Sequence, residues 1–356
     1  LFSQGASLAN LEFVHHIPLC LELAEVFVPV ATRLSDMGAR LWVDKEGQPW
    51  CFLEEDNIFN LNEVPAHILT QVIQKIIVEH GLGCDSLYGG ERSAVYLDVR
   101  QTDFKKLSMA EQRYYRQVER WAKLNLKEKA LAVRPAIDFT LGGLSIDDHF
   151  ETNLRGVFAC GEASCTFLGA NVNQGHLFSS MLAEGLMASE AVVEYCERLS
   201  RGSDEISEKL FEVEKNRQFE WQREILSQEG LENPYALWDE LTFNMRENVG
   251  LVRSNGKLKT ALEIIDDIGE RVNRIHLSPD TQKLGQDLVF TQRLTHCLNL
   301  AEAIVISCLY RNESRGCHFK PDYPKKDDQN FLNQSLVYLH DDTVHVRFQK
   351  HGQEVA

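Results

Sequence analysis

The sequence predicts an α+β, multi-domain protein. Its 356 residues exceed the usual size of one domain, and 44% hydrophobic with 25% charged residues is the composition of a chain able to bury a core. Short β-prone runs fill the first half, whereas from about residue 205 apolar side chains return every three or four positions, the period of a helix face. Two or three domains follow.

Residues 12–17 form a short apolar run with strand character, and residues 40–43 read as a strand entering a hairpin through Asp44-Lys45-Glu46-Gly47. Residues 65–79 carry Ile68, Leu69, Val72, Ile73 and Ile76 at a spacing that only a helix gathers on one face. Residues 95–99 alternate as a strand, and 108–121 form a polar helix whose Ser108 and Glu111 stand at capping-box spacing. Two short strands, 136–140 and 156–160, are joined through Gly142-Gly143 and a polar turn at Asp147-Asp148. A helix over 176–196 follows, with Leu182, Leu186, Val193 and the small Ala183, Ala188 and Ala191 suited to close packing on a sheet. A linker at 200–203 leads to a strongly charged helix, 205–226. Leu258, Leu262, Ile265, Ile268, Val272 and Ile275 then mark a helix that, with 288–310, belongs to a bundle of about three. The tail beyond Gly316 holds one β-prone segment, 343–348.

Charge excludes one large class of function. With 53 acidic and 37 basic residues the net charge is −16, and no Lys/Arg run offers the concentrated basic surface that a nucleic-acid backbone needs. The longest apolar stretch, 301–310, is too short to cross a bilayer, and no signal-peptide pattern opens the chain, so a soluble, cytoplasmic protein is expected. Nine cysteines without a Cys-x-x-Cys pair indicate neither a disulfide framework nor a metal site, and they read as free thiols; Cys160 and Cys165 are the nearest pair and the one candidate for a redox switch. The first residues, Leu1 to Ala6, read as the middle of a fold, which leads us to expect a truncated chain or a split gene.

Three segments in order carry a family resemblance. Gly161-Glu162-Ala163 is flanked by Gly142-Gly143 and by Gly169-Ala170-Asn171; Arg246-Glu247-Asn248-Val249-Gly250-Leu251-Val252-Arg253 follows; Glu313-Ser314-Arg315-Gly316 then precedes His318 and Asp322-Tyr323-Pro324. Leu11-Glu12-Phe13-Val14 and the stretch Pro49-Trp50 with Phe52-Leu53-Glu54-Glu55 add to the set. Together they resemble the C-terminal two thirds of the succinate dehydrogenase and fumarate reductase flavoprotein subunits, in their Bacillus-type form, a family that includes L-aspartate oxidase.

The resemblance implies a remnant of the FAD-binding domain at 1–14, a capping domain at 15–134, the second part of the FAD-binding domain at 135–200, a helical domain at 205–315 and a C-terminal region at 316–356. It implies FAD as cofactor, with Gly161, Glu162, Asn171, His176 and Leu177 at flavin-contacting positions, and an iron–sulfur subunit as partner in a complex peripheral to the membrane. It also implies that the Gly-rich dinucleotide turn, whose helix N-terminus holds the pyrophosphate, belongs to a half of the fold that this sequence does not contain. The face that half would cover is expected to be apolar and to meet another chain.

Family chemistry moves a hydride between a dicarboxylate and the flavin while an arginine relays the proton, which requires cations around the substrate. The positions that align with those cations read Ile17, Gln71, Asp138 and Val172, and the run 31–39 has lost the family's acidic-basic pattern. His15, His16 and His67 are candidate substitutes, though they read first as ordinary histidines of a core. Three readings follow: a divergent, non-catalytic interaction subunit; a flavin oxidoreductase of changed substrate completed by another chain; or retained succinate or fumarate chemistry if the alignment is displaced.

Overall fold

The computed structural model describes residues 1–356 except 24–25, 31–37, 87–89, 166–168, 173–175, 201, 203–204, 278–284, 342 and 350–356. Most of the run 31–39 and part of the linker at 200–203 therefore lie outside the described residues. The chain divides into two compact units, one made of Leu1–Phe13 with Thr140–Ala356 and the other of Val14–Phe139. Helix and sheet are both well represented, as the sequence predicts.

After the short strand β1 (Leu8–Ala9), the chain builds the 14–139 unit from β2 (Val14–Leu23), β3 (Val26–Pro29), β4 (Arg40–Lys45), β5 (Gln48–Trp50), helix α1 (Ala66–Val78), β6 (Val95–Asp98), helix α2 (Met109–Ala122) and β7 (Leu131–Thr140). The sheet order is β3-β2-β7-β6-β4-β5. Lys45 pairs with Gln48, so the β4–β5 loop is two residues long, and both Glu46 (φ 57°) and Gly47 (φ 82°) are left-handed. That is the turn whose twist matches a hairpin, and Asp44 closes it by accepting the Gly47 amide at 2.9 Å. On α1 the buried positions Leu69, Ile73 and Ile76 recur at helical spacing and join Leu41, Val43, Val95, Leu97, Tyr115, Val118, Leu131 and Val133 in one core.

Helix α2 begins with the capping box that its sequence announces. The Glu111 amide donates to the Ser108 hydroxyl at 3.3 Å, and the Glu111 carboxylate accepts the Ser108 amide at 2.8 Å. Ser108→Ala is expected to lower the stability of this unit by about 1 kcal/mol, read as a shift in urea midpoint with an unchanged slope.

The other unit continues with β8 (Gly143–Leu144), helices α3 (His176–Arg198), α4 (Glu208–Ser227), α5 (Pro234–Val249), α6 (Asn255–Val272), α7 (Gln286–Tyr310) and α8 (Asp328–Phe331), and the hairpin β9 (Gln334–His340) and β10 (Thr343–Gln349). Helices α5, α6 and α7 form the expected bundle. Leu258, Ile265, Ile268 and Val272 of α6 are buried with Leu237 and Leu241 of α5 and Leu294, Leu298 and Val305 of α7. Asn233 caps α5 through its Oδ1, with Pro234 at the first helical position, where no amide is needed. Among the described residues no helix is long and apolar enough to cross a membrane.

Three expectations are corrected. Residues 156–160 make no strand; Phe158 only bridges to Glu151, because Gly156 (φ 80°) turns the chain back within five residues. The tail holds two strands, β9 as well as β10, since β1 supplies β9 with a second partner through Leu8 opposite Val337. Leu182, Leu186 and Val193 do not pack on a sheet; they are exposed at 57%, 71% and 56%, and of the three small residues only Ala188 is buried.

Candidate functional site

Within the 14–139 unit, neighbouring strands β2 and β7 bring together two residues that lie 123 positions apart. The ring of His15, buried, places Nδ1 3.1 Å from Asp138 Oδ2. It stacks on Phe139 with ring centres 4.9 Å apart and planes 18° from parallel. Because the carboxylate accepts, Nδ1 carries the proton, and Nε2 is left as a lone pair, buried and without a hydrogen-bond partner among the described residues. Burial lowers the pKa of His15 below its ordinary value of 6.5, against the opposing pull of Asp138. Nearby Cys20 is pushed up to about 12 by burial and then by the same carboxylate, so its thiol stays protonated and is no nucleophile.

The remaining predicted positions of this unit lie on β2 and α1. Ile17 is half-buried on β2, and His16, buried beside it, sets Nδ1 3.0 Å from the Val14 carbonyl. Gln71 and His67 are half-buried on α1, which packs against β2. Among the predicted site residues, His15 and Asp138 are bonded to each other.

In the other unit, Gly161 (φ 63°), Glu162 and Ala163 form one short helical turn. Glu162 is exposed, and one carboxylate oxygen accepts the Thr140 amide at 3.2 Å. The Gly161 amide is already taken by Glu184 at 2.8 Å, and Ser180 donates to the other oxygen of Glu184 at 2.8 Å. Glu184, 2% exposed, thus holds the turn from α3, a role not read from the sequence. Its signal was present as one carboxylate among Leu182, Ala183 and Ala188. Asn171 is half-buried with Oδ1 accepting from the Cys317 thiol at 3.7 Å, while Val172 is buried at 6%. His176 and Leu177 open α3, exposed and half-buried respectively. An exposed carboxylate beside a left-handed glycine turn has the chemistry to accept from a hydroxyl-bearing chain.

Cys165 is buried, receives Asn10 Nδ2 at 3.0 Å and Gln334 Nε2 at 3.3 Å, and has its thiol pushed up to about 11; Cys160 is exposed and free. A high thiol pKa on the buried member weighs against a facile redox switch.

The segments that carried the resemblance converge in a buried charge network in this unit. The Arg311 guanidinium, fully buried, meets Glu12 Oε1, Glu313 Oε1 at 2.9 Å and the carbonyls of Phe331 and Asn333 at 2.9 Å each. Glu12 also accepts from Ser335 at 2.7 Å, and Glu313 from Arg315 at 2.8 Å. Arg253 sends Nη1 to the Glu12 carbonyl and to His318 Nδ1, the latter at 2.8 Å. Since arginine only donates, Nδ1 accepts, and Nε2–H donates to the Arg311 carbonyl at 3.1 Å.

His318 is therefore neutral, with its pKa held well below 6.5 by burial and then by Arg253. A folded-state pKa below the unfolded one gives stability that is complete above about 6.5 and is lost as pH falls, because the unfolded chain then binds a proton that the folded chain refuses. Denaturant midpoints of this unit are expected to fall between about pH 7.5 and about pH 5.5, roughly one unit either side of the ordinary histidine value. His318→Gln should flatten the dependence.

Comparison with known proteins agrees with these observations. Residues 2–176 match the family model described as FAD binding domain, and residues 238–355 that described as fumarate reductase flavoprotein C-term. The succinate dehydrogenase flavoprotein subunit of Bacillus subtilis is 32% identical over 336 residues, covering 94% of this chain and 56% of that protein. The fumarate reductase flavoprotein subunit of Escherichia coli is 28% identical over 247 residues, covering 68% of this chain and 40% of that protein. The chain thus spans about half the length of the curated relatives it matches, or less. Among solved structures, a variant of the E. coli quinol fumarate reductase flavoprotein superposes with a TM-score of 0.86 at 24% identity, over 100% of this chain and 61% of that one. The adenylylsulfate reductase of Archaeoglobus fulgidus superposes at 0.67 with 17% identity, over 99% and 61%; both likenesses show the fold alone. FAD is the cofactor that goes with the matched domain. On these grounds the chain belongs to the succinate dehydrogenase and fumarate reductase flavoprotein family.

Proposed function

We propose that this chain is a divergent member of its family that no longer oxidises or reduces dicarboxylates. The observation that carries this reading is the pairing of Asp138 with His15. The family's second site histidine aligns here with a carboxylate, which is exposed and holds His15 through one oxygen, so this position presents an anion where the family presents a cation. Supporting it, the other aligned positions, Ile17, Gln71 and Val172, are neutral and half-buried or buried. Holding a dicarboxylate against an electron-rich flavin takes several charge-assisted hydrogen bonds, each about 1.5–3 kcal/mol. None of the four positions supplies a cation.

In this reading residues 14–139 play the part of the capping domain, and Glu162, Gly161, Asn171, His176 and Leu177 face FAD, which when bound supplies a hydride acceptor. The apolar residues exposed on α3, Phe178, Leu182 and Leu186 among them, support contact with further protein there. An iron–sulfur partner and a place beside the membrane are carried over from the resemblance. The test is a titration of the FAD-loaded protein with malonate, a non-reacting dicarboxylate, followed by the visible flavin spectrum. No saturable perturbation is expected at millimolar concentrations; a saturable one refutes the reading.

A second reading rests on the same pair. Asp138 orients the His15 ring and fixes its tautomer, so that Nε2 is a general base for a neutral or cationic substrate: it would take the proton lost as a hydride leaves. Any amine or alcohol that reduces the flavin should then do so with a pH profile set by His15 and abolished in His15→Gln.

A further inference from the structure

The chain is acidic overall, yet its cations are not evenly spread. Residues 100–129 hold nine Lys and Arg against four Asp and Glu, a local +5 in a molecule of −16. In the 14–139 unit this segment folds around a cleft of about 790 Å³ whose charged rim is Lys105, Arg116, Arg120, Lys123 and Lys127, with Phe104 as its apolar wall. The sequence showed no basic run because the folding gathers these residues. Arg116 and Arg120 stand one turn apart on α2; Lys123 follows at its left-handed C-terminus (φ 53°), and Lys127 and Lys105 come from the loops on either side.

The five cations are exposed, and among the described residues none forms an ion pair. The single acid on the rim, Glu119, accepts the Leu126 amide at 3.0 Å. A merely structural explanation covers only part of this. Arg120 and Lys123 suit the negative end of the helix, worth some tenths of a kcal/mol. That effect fades within the last turn, and like charges at i and i+4, as with Arg116 and Arg120, oppose helix formation. Nothing in the unit's own stability calls for Lys105, Arg116 and Lys127 on the same cleft.

We propose that this cleft is a binding site for a small polyanion bearing two or more phosphate groups, of the size of a nucleoside diphosphate or triphosphate. The volume lies in the range of small-molecule sites, about 300–1,000 Å³. Two guanidinium forks match phosphate oxygens in pairs, and three ammonium groups add charge around them. Phe104, half-buried on the wall, offers an apolar surface for a base or other ring. The site lies within one unit and does not depend on the flavin chemistry proposed above.

Isothermal titration of the purified protein with ATP, with inorganic triphosphate and with citrate, at low and at high salt, tests this. ATP and triphosphate are expected to bind saturably at one site, more tightly than citrate, and to weaken as salt rises. Arg116→Gln with Arg120→Gln should lower affinity about a hundredfold, roughly tenfold for each guanidinium removed from the phosphates, with an unchanged melting temperature. Arg113→Gln, exposed on the same helix but off the cleft, should leave affinity as it is. No saturable binding at low salt overturns the proposal. So does an equal loss in Arg113→Gln, which would mean a diffuse field in place of a site. Tight binding of a single-stranded oligonucleotide without binding of triphosphate overturns it in favour of a nucleic-acid surface.

Discussion

Arg311→Met is expected to cost the unit that contains it about 3–5 kcal/mol, the range for removing one partner of a buried ion pair. Arg311 is fully buried and satisfies two carboxylates, Glu12 and Glu313, that are themselves 0% exposed. Glu313 keeps Arg315, whereas among the described residues Glu12 keeps the Ser335 hydroxyl and no cation, in a buried interior. The guanidinium also caps the carbonyls of Phe331 and Asn333, and lies 4.9 and 5.0 Å from the rings of Phe13 and Phe348, so the N-terminal strand, the bundle and the final hairpin lose a shared anchor. Arg311→Lys should recover only part of the loss, because an ammonium keeps the charge but not the planar fork. Urea unfolding followed by tryptophan fluorescence, wild type against both variants, checks this.

Gly316→Ala is expected to be nearly as damaging. Gly316 sits at φ 54°, and a Cβ there would stand 2.0 Å from the Ala170 carbonyl oxygen and 2.6 Å from its carbon. Those are backbone atoms that cannot swing away, and Ala170 O is held in place by the Cys317 amide at 2.9 Å. The left-handed backbone costs a non-glycine residue about 1–2 kcal/mol, and overpacking of this kind typically adds about 1–3 kcal/mol. Relief must come by moving Ala170 and therefore Asn171, one of the positions we assign to FAD. The variant should thus lose flavin affinity together with stability, whereas Ser108→Ala, in the other unit, should leave flavin affinity unchanged.

Much of the architecture was legible because local pattern and tertiary demand coincide. The apolar spacing of α1 and α6, the capping box of α2 and the Glu46-Gly47 turn each state their structure within a few residues, and the structure repeats them. Strand β9 was not legible, because its place depends on Leu8 and Ala9, more than three hundred residues away in sequence. The apolar residues of α3 were misread as a packed face, since helical spacing alone does not say what will cover them.

The sites divide in the same way. The resemblance placed Ile17, Gln71, Asp138 and Val172 as aligned positions, but the bond between His15 and Asp138 links strands that only the sheet makes neighbours. Glu12, Arg253, Glu313, Arg315 and His318 were visible as fragments of motifs. That they form one buried network follows from a side-chain geometry that spacing does not encode, and Arg311, its centre, belonged to none of the fragments.

The central claim is that charge at the substrate positions has changed enough to end dicarboxylate chemistry. It is tested most directly by adding succinate, without oxygen, to the FAD-loaded protein and following the visible flavin absorbance. The account predicts that the oxidised flavin bands stay unchanged while a chemical reductant still bleaches them. Bleaching by succinate at a rate comparable with the family's dehydrogenases would contradict it, and would mean that Gln71 and Asp138 do not stand where the family keeps its proton-relay arginine and its second site histidine.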